Sequence, residues 1–376
     1  MKDLKKYIAG LIGIVIMIGL FFVPVSKNSA KTEGELYAAE IIDLTDRKTE
    51  DSGGYQTVMI KYVAQITDER YKDLKVEAED IYEQGTPHIE ARAGDEVLLH
   101  LEKNESDDSI IRAYIAGFKR DKLLIALAII FALLVIVIGR IKGLQAMISL
   151  VFTVLLVLKI LLPRILAGDS PIFLSLFIAT LITIGTLLII SGFTRKTASA
   201  IIGTVSGVFF AGLLAYSFSY FSKLIGFSYE EIQMLTYIPQ NTKFDFNGLL
   251  FAAILLGALG AVMDVSMSIS SALYEIKQVN PSLTGKNLFK SGMNIGRDIM
   301  GTMVNTLILA YTGSSLNLLI LLLAYNKPFI EILNYDMIVV EIVRALSGTI
   351  GLILTIPITA LAATLLFNQQ SESSSS

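Results

Sequence analysis

The chain has 376 residues, 53% of them hydrophobic and 17% charged, with a formal net charge of −3 and a mean hydropathy of +0.63. That balance excludes an ordinary soluble globular domain and fits a chain that crosses a membrane several times. Cysteine is absent, which excludes disulfides, thiolate metal sites and cysteine nucleophiles; tryptophan is absent too, so interfacial anchoring falls to tyrosines such as Tyr7, Tyr216, Tyr220 and Tyr325.

In chain order, MKDLKK precedes an apolar run from Tyr7 to Val25, long enough at ~1.5 Å per residue to cross ~30 Å of hydrocarbon. An uncleaved anchor is expected rather than a signal peptide, because Asn28-Ser29-Ala30 is a poor cleavage site. Either one exports the residues beyond Val25. Residues 26–120 hold 13 Lys/Arg against 21 Asp/Glu, a net of −8, while the rest of the chain carries 18 against 13, or +5. Runs rich in β-formers recur at Leu36–Asp43, Thr57–Ile66, Leu74–Ala78, Glu96–Leu101 and Ile110–Gly117, separated by turn signals. Five short strands predict a small all-β domain, an OB-like barrel. Its acidic balance opposes nucleic acid as a partner.

Seven further apolar runs occur at Leu123–Ile138, Leu144–Leu162, Ile172–Ile190, Ala198–Phe221, Leu249–Leu273, Ile299–Tyr325 and Met337–Phe367. With the anchor they predict an all-α polytopic membrane protein of about eight transmembrane helices. The basic residues Arg140, Lys142, Arg195, Lys196, Lys277, Lys286, Lys290 and Arg297 fall on the side of the N-terminal lysines, which is expected to be cytoplasmic. The expected organisation is an N-terminal anchor (1–25), an extracytoplasmic β-rich domain (26–120), a seven-helix membrane domain (121–367) and a disordered tail (368–376), with both termini cytoplasmic.

Two patterns stand out in the membrane region. Small residues at helical spacing, Gly203 with Gly207 and Gly257 with Gly260, predict close helix packing. Polar residues concentrate between Leu255 and Ser315. Residues three or four apart share a helix face, so Asp264, Ser268, Ser271 and Glu275 align, as do Asn294, Asp298, Thr302 and Asn305 on the next segment. Glu275 and Arg297 are expected as a charge pair at the cytoplasmic boundary, with Asp264 and Asn305 about a dozen ångströms inside at ~1.5 Å per residue. An ionisable group at that depth is costly unless paired or hydrated. Either these residues form a hydrated track in which Asp264 takes up a proton or cation, or they form a structural network between two helices.

The strings MDVSMSISSALYEI and NPSLTGKNLFKSGMNIGRDIMGTMVNTLILAYTGSSL, together with IGRIKGLQAMISLVFT, LPRILAGDSPIF and SGFTRKTASAIIGTVSG, strongly resemble the YibE/F-like family of bacterial multispanning membrane proteins. The resemblance implies a plasma-membrane protein with several spans behind an exported segment. It implies no substrate and no catalytic residue.

The chain carries no G-x-x-x-x-G-K-[ST], H-E-x-x-H or G-x-S-x-G motif, so no enzyme, cofactor or metal site is expected. The leading reading is a secondary transporter or permease coupled through Asp264; the alternative is a membrane scaffold or sensor whose outer domain binds a partner, and a third, an ATP-driven permease subunit, would need a separate ATPase docking on the Lys277–Arg297 hairpin. The expected partners are the lipid bilayer, a small solute or ion, and either a second copy of the chain or another membrane protein.

Overall fold

The computed structural model describes residues 36–52, 55–103, 110–224 and 244–373. The first apolar run, Tyr7–Val25, lies outside the described residues. Two compact units are present, one within residues 28–134 and the other drawn from residue 135 onward.

The first unit is built on strands β1 (Leu36–Ser52), β2 (Tyr55–Ile66), β3 (Lys75–Glu83), β4 (Glu96–Lys103) and β5 (Ile110–Phe118). They close into a barrel in the order β1-β2-β3-β5-β4, with β4 returning to pair with β1. Strand β2 shows why. Val58, Ile60, Tyr62, Ala64 and Ile66 alternate along it and are all buried, the period-two pattern of a strand with one face on a core. Bulges at Ile41/Asp43 and Leu44/Asp46 interrupt its register with β1, a device that bends a strand around a barrel. Gly94, at φ +90°, makes the turn before β4; its N–H donates to the Ile41 carbonyl at 2.8 Å.

The second region is helical: α1 (Asp121–Leu156, running on through a π turn to Leu166), α2 (Pro171–Ser191), α3 (Arg195–Ser222), α4 (Phe246–Val279), α5 (Gly285–Ser314), α6 (Leu316–Ala324) and α7 (Asp336–Ser373). Five of the described helices are long and apolar enough to cross a membrane, or up to six when α5 and α6, bent by 60° at Ser315, count as one broken span. Helix α1 itself breaks at Arg140 (φ 51°, ψ −128°), between the two apolar runs read from the sequence. Helix α7 continues to Ser373, so residues 368–373 are helical where a disordered tail was expected; no proline or glycine in Asn368–Ser373 stops it.

Helix α4 buries most of one broad face, from Leu250 and Ile254 through Val262, Val265 and Ile269 to Leu273. The tightest seam joins α3 to α7. A β-carbon built at Gly203 would collide with Thr359 Oγ1, and one at Gly207 with Thr355 Oγ1; at Gly351 of α7 it would lie 2.6 Å from the Ala211 Cβ and 2.7 Å from the Gly207 carbonyl. Two backbones therefore touch along small residues, as membrane helices do when lipid supplies no hydrophobic drive. The reading of Gly257 and Gly260 as a second such seam is corrected: both are exposed, a β-carbon at Gly260 would meet nothing within 4 Å, and one at Gly257 only the Tyr311 side chain. Gly292 and Gly296 of α5 take that role, seated against Ala360 and Ile356 of α7.

One end of the bundle is basic. Arg195 Nη1, at the start of α3, donates to the Leu366 carbonyl near the end of α7 at 2.9 Å. Gly285, opening α5, faces Asn368 and Thr364 of the same helix. Lys277, in the last turn of α4, folds over the connection to α5 and donates to the Pro281 and Leu283 carbonyls, each at 2.9 Å.

Candidate functional site

Helix α5 explains the placement of the polar residues. Leu288, Gly292 and Gly296 recur every four residues and are its buried stripe, pressed on α7 and α4. At ~100° per residue this stripe turns Asn294, Arg297, Asp298, Thr302 and Asn305 outward, and none of the five is buried. On α4 the buried face likewise leaves Asp264, Ser268 and Glu275 exposed, with Ser271 half-buried at its margin. The polar groups thus share the outer faces of two consecutive, packed helices and do not enter the core.

No hydrogen bond or ion pair among the described residues joins Asp264 to Ser268, Ser271 or Asn305. The expected Glu275–Arg297 charge pair is also absent among the described residues: Arg297 Nη1 donates to Asn294 Oδ1 on its own helix at 3.4 Å. The reason is local, since the residue after Gly296 must leave the α4–α7 side of the helix. Thr302 and Thr306 turn their hydroxyls back onto the Ile299 and Thr302 carbonyls at 3.0 and 2.9 Å. An outward carboxylate in mid-helix, with serines beside it and amides on the next helix, is a group that can take a proton or a cation.

Hydroxyls outside the two aligned sets occupy the core instead. Ser199 and Ser270 Oγ lie 2.6 Å apart across α3 and α4, and Ser270 also donates to the Lys196 carbonyl at 2.7 Å. Near the other end of α7, Arg344 Nη1 and Glu341 Oε1 form an ion pair of 2.6 Å. Its signal is present in the sequence as the i, i+3 pair EIVR, hidden inside an otherwise apolar run.

The barrel also assembles groups that lie far apart in sequence. His88 Nε2 is 2.8 Å from Asp80 Oδ2, its ring stacks on Tyr82 at 3.9 Å, Tyr82 donates to Glu90 Oε1 at 2.6 Å, and Glu90 pairs with Arg47 at 3.1 Å. In the sequence these carboxylates look like scattered surface charge; cross-strand register and the β3–β4 connection bring them together. Beneath them, burial, then the Asp80 and Glu90 carboxylates, push the Tyr62 phenol up to about 12. The Tyr82 phenol is also raised, first by its bond to Glu90. A phenol whose folded-state pKa is raised contributes stability that is present below its unfolded value, ~10, and is lost as pH rises through about 12. The barrel is therefore expected to lose on the order of 2–3 kcal/mol across that window through Tyr62. Tyr62→Phe should flatten that part of the profile. Thermal unfolding at pH 9 and pH 11.5 checks it, and an unchanged pH slope in the variant would assign the loss elsewhere.

Long apolar helices, a polar face on two of them and an attached β-barrel define the class as a membrane protein. The chain belongs to the YibE/F-like protein family, whose model matches residues 127–369, the helical region. No curated protein and no solved structure matches the chain.

Proposed function

We propose that this chain is a multi-pass plasma-membrane permease, a secondary transporter whose proton or cation coupling runs through Asp264, with the barrel extracytoplasmic and the termini cytoplasmic. The observation that carries the reading is that the packed helices α4 and α5 each turn polar residues outward, and that on α4 Asp264 stands in mid-helix with no charge partner among the described residues. A structural carboxylate in an apolar helix is expected to have such a partner, as Glu341 has Arg344. The broken α5–α6 span supports the same reading, because discontinuous helices accompany substrate sites in secondary transporters. Orientation is supported by the basic end of the bundle, where Arg195, Lys277 and Lys286 gather.

The competing reading, a scaffold or sensor, is favoured by one observation: the Asp80–His88–Tyr82–Glu90 network gives the barrel a built polar surface of its own. One experiment separates the two. The purified chain is reconstituted into liposomes and offered a mixture of labelled ions and small solutes, with and without a pH gradient; single cysteines at Lys61 and Lys286 report sidedness without background, since the native chain has none. Gradient-dependent uptake in the liposomes is the expected result, with the single-cysteine proteins in intact cells labelled by an impermeant reagent at Lys61→Cys from outside and at Lys286→Cys only once the membrane is opened. Correctly oriented protein that moves no solute would favour the scaffold, and outside labelling at position 286 would invert the topology.

A further inference from the structure

The polar face of α4 and α5 lacks a second wall. Among the described residues it lies on the perimeter of the bundle, where bilayer hydrocarbon would meet Asp264, Asn294, Asp298, Thr302 and Asn305 directly. Polar and ionised groups inside membranes face the interior of a bundle or a water-filled cavity, because hydrocarbon offers them no partner. Something must therefore close this face. The anchor run Tyr7–Val25 carries no charged residue and no Ser, Thr, Asn or Gln, and the first half of α1, Leu123–Ile138, is likewise free of charges and amides. Neither can satisfy a carboxylate, an amide row and a guanidinium.

We propose that a second copy of this chain covers the face, so that the polar track runs between two protomers. The charges are self-complementary: Asp264, Glu275 and Asp298 stand with Lys286, Lys290 and Arg297 on the outer faces of the same two helices, three acids against three bases, and none is buried. A two-fold axis presents one patch to its own copy, which requires a patch carrying both signs in comparable number. The outward side of α5 is also unobstructed, with Gly301 open to a close backbone approach: a β-carbon there would meet nothing within 4 Å. Asp264, solitary in one protomer, then faces its own counterpart and trapped water across the interface, while Lys286 and Lys290 meet Glu275 of the other copy at the basic end. The inference rests on the membrane reading and not on transport.

Single cysteines placed at Asn294, Thr302 and Asn305 of the cysteine-free chain, with Phe209→Cys on the exposed side of α3 as the control, are treated in native membranes with a short bis-maleimide. Most of the protein is expected to move to twice 41.1 kDa from the α5 positions and only a trace from Phe209→Cys, with the same doubled mass by native mass spectrometry of the untreated protein. A monomer mass without cross-linking, an adduct of any other mass, or cross-linking at Phe209→Cys in place of the α5 positions would each overturn the proposal. A dimer that moves no solute leaves the interface standing and removes the permease reading; solute flux from a proven monomer does the reverse.

Discussion

Gly207→Ala is expected to lower the melting temperature of the purified protein in detergent by several degrees, whereas Gly260→Ala should leave it unchanged. The two glycines look equivalent in the sequence, each in a small-residue pattern on an apolar helix. In the structure a β-carbon at Gly207 collides with Thr355 Oγ1 and sits 2.9 Å from the Gly351 carbonyl. Thr355 cannot simply rotate away, because its hydroxyl donates to that same carbonyl at 2.9 Å and lies 3.5 Å from the Gly203 carbonyl across the seam. The backbones of α3 and α7 must therefore separate, and this seam is among the most extensive in the bundle, so the loss spreads along both helices. Overpacking of this kind costs about 1–3 kcal/mol, more when backbone must move. Gly207→Leu should prevent stable packing of α3 on α7. At Gly260 a β-carbon meets nothing within 4 Å, so there is no steric loss. A Gly207→Ala protein that melts with the wild type would show that the α3–α7 contact is looser than described.

That contrast shows how far the sequence reaches. Composition and apolar run length identify the helices because a bilayer imposes one requirement, enough consecutive apolar residues, which can be read locally. The five strands were legible for a similar reason: alternation in β2 is a direct image of which side faces the core. Which glycine touches which helix was not legible. Gly203 and Gly351 meet α7 and α3 from opposite ends of the helical region, and nothing in a four-residue spacing names the partner. The polar face was legible as a face, since helical spacing aligns Asn294, Asp298, Thr302 and Asn305, but spacing cannot say whether it points inward. Buried Gly292 and Gly296, on the opposite side of α5, decide that. The Asp80–His88–Tyr82–Glu90 network was hidden for a different reason: it depends on how β3 and the segment after it fold back, so that His88 stacks on Tyr82.

Asp264→Asn is expected to abolish coupled flux while leaving the fold intact, and the structure sharpens the reason. A carboxylate held in a buried ion pair loses about 3–5 kcal/mol of stability when neutralised, because its partner is left uncompensated. Asp264 has no such partner: Arg297 is bonded to Asn294, and no ion pair reaches position 264 among the described residues. Its neighbours on the outer side of the same helix, Ser268 and Ser271, are neutral, and an asparagine replaces the carboxylate with almost no change of shape. Thermal unfolding of Asp264→Asn should therefore match wild type, while a group that cannot exchange a proton or hold a cation stops the cycle. Asp264→Leu supplies the second arm. If position 264 simply faced hydrocarbon, removing the carboxylate would relieve the roughly 2.5–3.5 kcal/mol that an aspartate costs at the centre of a membrane helix, and the protein would melt higher. If the position faces a hydrated or protein-lined track, leucine exposes an apolar group where polar neighbours converge, and no gain appears. Unchanged flux per folded molecule in Asp264→Asn, together with a raised melting temperature in Asp264→Leu, would remove the coupling role and leave Asp264 as a lipid-facing residue.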